Sequence, residues 1–188
     1  MKRYFRKITF TSSTAALRAL GHPTRLRILA HLQLEGASTA TECAAEVGES
    51  ASACSYHLRT LAKHGFVEET ATADGRERRW QPRVMSVDFA AGAYADEEFQ
   101  AASALARAAL LELSDDNVRE YLQHERSFSS AWREAAAFLQ TTVVATPTEL
   151  NELAHAIQKL LAEYAPSARD KPRGARTVNV SVRAVPKP

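Results

Sequence analysis

The sequence predicts a mainly α-helical fold of the α+β kind, with β structure confined to one hairpin and a few short strands. Three observations predict it. Leu17, Leu20, Leu26, Leu29 and Leu32 recur at near-helical spacing. Capping signals open later helices at Thr39, Ser50 and Thr146. The segment from Phe66 to Val84 instead holds two short extended stretches around Asp74-Gly75, a pair that readily takes the positive backbone angles of a hairpin turn.

The elements follow in order. The leucine series is broken at Gly21-His22-Pro23, where Pro23 suits the first position of a new helix, so two helices meet near Gly21 and the second stops at Gly36. Thr39-Ala40-Thr41-Glu42 has the form of a capping box and opens a short helix through about Val47, which Gly48 ends. Ser50 caps a further helix, with Cys54, Leu58 and Leu61 as a narrow apolar stripe, that ends at Gly65. Beyond the hairpin, Phe99, Ala102, Leu105, Ala109, Leu110 and Leu113 mark a long amphipathic helix. Asp115-Asp116-Asn117 reads as a fresh helix start before Val118, Tyr121 and Leu122, with an interruption from Ser127 to Ser130. Thr146-Pro147-Thr148-Glu149 is a second capping box, followed by Leu150, Leu153, Ala154, Ile157, Leu160, Leu161 and Tyr164 on one face. Thr141 to Val144, and the alternating Val178, Val180 and Val182, carry the β-branched residues of strands that would flank this last helix, with a charged loop from Ser167 to Gly174 between.

Composition bounds the class. The chain has 188 residues, 45% apolar and 24% charged, enough for a sizeable core and unlike disordered, collagenous or disulfide-scaffold sequences. The longest uncharged run, Ala135 to Thr148, is too short to cross a bilayer, and MKRYFRKITF has no apolar secretory segment, so the expected location is the cytoplasm. Cys43 and Cys54 occupy apolar helical positions and are expected to be reduced, packed thiols.

The net charge of +2 hides a segregation: residues 1–85 carry 13 Lys and Arg against eight acids, residues 86–166 five against 13, and residues 167–188 six against one. A basic first half meeting a polyanion is one consequence of such asymmetry. Two short helices joined around a Gly, then a basic hairpin, are the parts of a winged helix-turn-helix, whose second helix enters the DNA major groove. On that helix Ser52, Tyr56, Arg59 and Lys63 lie opposite the apolar stripe with Ser55 and Thr60 beside them, which supplies hydrogen-bond donors for base edges and phosphates and no carboxylate to repel them. The wing adds Arg76, Arg78 and Arg79 for phosphates or the neighbouring minor groove. The expected division is a basic arm over 1–13, a DNA-binding domain over 14–87 and a dimerisation or effector region over 88–188.

Ala19-Leu20-Gly21-His22-Pro23-Thr24-Arg25-Leu26-Arg27-Ile28-Leu29, then Ser55-Tyr56-His57-Leu58-Arg59-Thr60-Leu61 and Gly65-Phe66-Val67, resemble the ArsR-type winged-helix transcription regulators over about residues 15–85. The resemblance implies a homodimeric bacterial DNA-binding protein, usually a repressor, with recognition helices in successive major grooves of an inverted-repeat operator. The C-terminal half, with Trp132, the Thr-Pro-x-Glu-Leu helix start and a valine-rich close, looks like an extension of actinobacterial members. One departure matters: where metal-sensing members have a Cys-x-Cys pair, this chain has Thr39 and Thr41, and hydroxyls do not replace thiolates for soft metals. Cys43 and Cys54 match core positions of the family, and His22, His31, His57, His64, His124 and His155 include no paired ligand motif, so neither a metal nor another cofactor is expected.

Other classes fare less well. A winged helix fused to a Rossmann-type catalytic domain fails, because after Gly75 only Gly92 and Gly174 remain and no Gly-rich strand-to-helix turn exists, so no enzyme is expected. A winged-helix module for protein interaction or small-molecule sensing without DNA readout is the alternative. Dimerisation is expected through Phe99, Leu105, Leu110 and Leu113, with the segment before Ala19. The acidic helical half suits either a small-molecule effector, with Tyr121, Trp132, Phe138 and Tyr164 as its aromatic lining, or a thicker dimer interface.

Overall fold

The computed structural model describes residues 13–70, 77–83, 96–164 and 172–187. The chain divides into two compact units, the first running to Asp115 and the second from Asp116.

The first unit is built from local signals that the tertiary packing then uses. Helix α1 (Thr14–Leu20) is capped by Ser13, whose hydroxyl accepts from the Ala16 N–H, and α2 (Pro23–Glu35) starts on Pro23, which has no N–H to leave unsatisfied. Arg25 of α2 donates back to the carbonyls of Ala19 and Arg18, satisfying the open C-terminal end of α1. Helix α3 (Ala40–Val47) opens on the expected capping box: Thr39 Oγ1 accepts from the Glu42 N–H at 3.2 Å, and the Thr39 N–H donates to Glu42 Oε2 at 2.6 Å. Gly48, at φ 71°, takes the left-handed conformation that turns the chain between helices, and Ser50 caps α4 (Ala51–Lys63) by accepting from Ala53 N–H.

The strands β2 (Val67–Thr70) and β3 (Arg79–Pro82) pair antiparallel, Glu69 opposite Trp80 and Thr70 opposite Arg79. Their connection, with Asp74 and Gly75, lies outside the described residues. A third strand, β1 (Ser38–Thr39), pairs with β3, giving the order β1-β3-β2. The sequence reading missed β1 because two residues cannot show an alternation; pairing with Trp80 and Arg79 makes it a strand. Leu17, Leu20, Ile28, Leu32, Cys43, Cys54, Leu58, Leu61, Phe66 and Val67 are buried in one core. Helix α5 (Glu97–His124) contributes Ala102, Ala106 and Ala109 to it, small side chains that let its backbone come close.

Two sequence expectations are corrected. Asp115-Asp116-Asn117 does not start a helix: α5 runs through it, since Asp and Asn cost only about 0.7 kcal/mol each in a helix interior and Asp116 pairs with Arg119 at 2.6 Å on the next turn. The interruption near Ser127 is present, as a tight turn over Glu125–Ser127 before α6 (Ser130–Ala135). The second capping box is also formed and opens α7 (Pro147–Ala162). Neither Thr141–Val144 nor Val178–Val182 is a strand; a strand needs a ladder partner, and among the described residues these segments have none, so their valines stay exposed.

Burial pushes the Cys43 thiol up to about 11 and raises that of Cys54 as well, the latter with Glu49 adding to the effect. Both thiols should therefore be inert in the folded protein at neutral pH. An Ellman assay should report no fast-reacting thiol before denaturant is added and two afterwards; a thiol that reacts rapidly in the native protein would contradict the packing described.

Candidate nucleic-acid interface

The inner face of α4 buries Cys54, His57, Leu58 and Leu61, which fixes the rotation of the helix about its axis. At 100° per residue the opposite face must carry Ser52, Tyr56, Arg59 and Lys63. All four are exposed, Tyr56 to 60%. Ser55 and Thr60 are half-buried at the flanks, and the Thr60 hydroxyl donates to its own helix at Tyr56 O, 3.0 Å away. Among the described residues no carboxylate forms an ion pair with Arg59 or Lys63.

The wing behaves differently from its charge count. Arg78 is exposed and pairs with Glu69 at 3.3 Å, and Arg83 pairs with Glu68 at 3.3 Å. Arg79 points back: its Nε and Nη2 donate to Ala37 O at 3.2 and 2.9 Å, and Nη2 to both Glu42 oxygens at 3.2 and 3.0 Å. Glu42 thus caps α3 and holds β3 with one carboxylate. The Thr39 backbone N–H, and after it the Arg79 charge, keep that carboxyl below the ordinary carboxylate range. Arg76 lies outside the described residues.

These elements enclose a cleft of about 200 Å³, lined by Thr39, Ala40, Thr41, Ser55, Arg59, Glu77, Arg78 and Trp80. It lies where the first turn of α3, α4 and the wing converge. Two guanidinium groups and three hydroxyls line it and suit a phosphate, while Glu77 in the lining and Glu42, which caps the first turn of α3, oppose one. Sequence reasoning had Ser55, Arg59 and Arg78 but missed Thr39, Thr41 and Trp80 as cleft residues. The 37-residue separation of Glu42 from Arg79 left no local signal for their pairing.

Residues 20–70, from the end of α1 to the end of β2, match a family model described as a helix-turn-helix domain. With β3 paired beside β2, the deciding element is in place. The fold is a winged helix-turn-helix. A crystal structure of a MarR family transcription regulator is similar to the chain at 19% identity, over 81% of this chain and 82% of that one, with a TM-score of 0.32. No curated protein matches the chain. The winged helix-turn-helix is followed by a helical extension. No helix among the described residues is long and apolar enough to cross a membrane, and no group of three or more His, Cys, Asp or Glu among them could hold a metal ion.

Tyr121, Trp132, Phe138 and Tyr164 do not form one lining. Tyr121 stacks at 5.5 Å on Phe128 and 6.2 Å on Phe138, while Phe138 and Tyr164 are largely exposed and Trp132 is half-buried.

Arg79→Ala should destabilise the protein by about 1 kcal/mol, because it strips acceptors at Ala37 and Glu42; Arg78→Ala should cost less than about 0.5 kcal/mol, as for other surface pairs. Urea melts of both variants check the order, and equal costs would show that the inward bonds do not hold the wing. Since the Glu42 carboxyl is depressed, its contribution is complete above the ordinary value of 4.5 and is lost as pH falls below it.

Proposed function

We propose that this chain is a sequence-specific double-stranded DNA-binding transcription regulator of the ArsR type, acting as a homodimeric repressor and not as an enzyme. The observation that carries the reading is the exposed face of α4: hydroxyls, a Tyr and two cations that pair with no carboxylate among the described residues, on the second helix of a winged helix-turn-helix. In the major groove Ser52, Ser55, Tyr56 and Arg59 face base edges, Arg59 being the side chain suited to a guanine, while Thr60 and Lys63 lie toward the backbone. The phosphate track runs through the cleft over α3 to Arg78, and Arg76 of the wing is a further phosphate contact. Arg79, already committed to Ala37 and Glu42, is assigned to holding the wing against α3, from where it supports that track.

The exposed apolar residues of α5 support homodimerisation. The helix's buried alanines serve the core of the first unit, against which Phe99 and Leu113 also pack, while Leu105, Leu110 and Leu111 are exposed along its part of that unit. A second copy covering them in two-fold symmetry places two recognition helices on an inverted repeat, with half-sites about one helical turn apart.

Selection from random duplex DNA with the full chain tests the reading: an inverted-repeat motif is expected, and enrichment of no motif would leave the winged helix to protein partners. On the selected duplex, Arg59→Ala should cost about 1–3 kcal/mol and relax one base position, with little loss on random DNA. Arg78→Ala should weaken all sequences alike and reduce the salt slope by about one unit. In sedimentation, Leu110→Glu with Leu111→Glu should shift the protein from dimer to monomer; an unchanged dimer would place the interface elsewhere.

A further inference from the structure

Two imidazoles meet where the start of α2 packs on the recognition helix. His22 precedes Pro23 and makes no capping bond with its side chain. His57 is on the inner face of α4 and buried. Their ring centroids are 4.7 Å apart with the planes tilted by 52°. The Nδ1 atom of each is buried and, among the described residues, has no hydrogen-bond partner. A neutral imidazole tolerates this if Nδ1 is its bare lone pair and the proton sits on Nε2. An imidazolium does not, because both nitrogens then carry protons and one is buried without an acceptor.

The surroundings make the charged form still less favourable. Arg25 of α2, fixed by its bonds to Arg18 and Ala19, is a permanent cation acting on both rings. Tyr56 of α4 rests edge-on against His57 at 5.7 Å, His64 and Lys63 close the same helix, and Glu49 in the α3–α4 turn is, among the described residues, the carboxylate acting on both histidines. Burial lowers both histidines first; Arg25 adds to it for His22, His22 and then Arg25 for His57, and Glu49 opposes.

We propose that His22 and His57 form a proton-operated latch between α2 and the recognition helix, closed when both rings are neutral and opened by protonation, so that α4 and Tyr56 loosen and DNA is released in mild acid. The DNA-release half rests on the proposed function; the loosening of α4 does not. The direction is distinctive, because added positive charge alone would tighten binding to a polyanion as pH falls. The sign follows from linkage. The folded rings bind protons less readily than free imidazole at 6.5, so the latch contributes fully above about that pH and weakens as pH falls through it, until the folded rings themselves take up protons.

The test compares the full-length wild type with His22→Asn and His57→Gln, neither of which can be protonated at that position. Hydrogen-exchange protection factors of α4 amides are measured in the free protein, and affinity for the selected duplex alongside, from about pH 7.5 to about pH 5.5. In the wild type, α4 protection should fall with pH, and affinity by about tenfold per pH unit for one linked proton; both variants should respond less. Should His57→Gln not fold, His22→Asn carries the comparison, since Asn is a favoured residue at a helix start. Constant α4 protection in the wild type, or the same acid loss in the variants, overturns the latch. If α4 loosens in acid in the wild type alone but no duplex binds at any pH, the latch stands and the DNA-binding reading falls.

Discussion

Burial of the inner face of α4 is the constraint on which the rest depends. Cys54, Leu58 and Leu61 are fully inaccessible to solvent and share a core with Leu17, Leu20, Ile28, Leu32 and Phe66. A helix anchored along one stripe cannot rotate, so the identity of the outward face is settled by packing rather than by any property of the outward residues themselves. Ser52, Tyr56, Arg59 and Lys63 are presented together because Cys54, Leu58 and Leu61 are not. Gly48 sets the relation of α4 to α3 through a turn that few other residues could make, since its φ of 71° is strained for a side chain bearing a Cβ.

The second constraint is electrostatic and links elements distant in sequence. Glu42 closes the capping box of α3 and receives Arg79 from β3, while β1 pairs with the same strand. The wing is therefore attached to the first helix of the motif by both backbone and side chain. Satisfying Arg79 internally also lowers the number of wing cations open to solvent. Arg59 and Arg78, the latter paired with Glu69, line the cleft with the hydroxyls of Thr41 and Ser55, and Lys63 is exposed farther along α4.

Much of this was legible in the sequence where local chemistry decides the outcome. Thr39 with Glu42, Ser50, Thr146 with Glu149 and Pro23 each act within one helical turn, and all begin helices at the expected positions. The exposed face of α4 was legible because a 3.6-residue period needs no tertiary information. Asp115-Asp116-Asn117 misled because a start signal is only a local preference of about 1 kcal/mol, which an already propagating helix overrides. The valines near 143 and 180 misled for the opposite reason: β propensity describes a residue's fit to a sheet and does not supply the neighbouring strand. Strand β1 and the Arg79–Glu42 pair could not be read at all, since both exist only once residues some 40 positions apart have met.

The central claim is that the outward face of α4, flanked by the first turn of α3 and the wing, is a surface for double-stranded DNA. It is tested most directly by amide chemical-shift perturbation in isotopically labelled full-length protein on addition of a selected duplex. Perturbations should concentrate at Thr39 to Thr41, at Ser52 to Lys63 and around Arg78, with little change along α7. Perturbations concentrated on α7, or none at saturating duplex, would contradict the account.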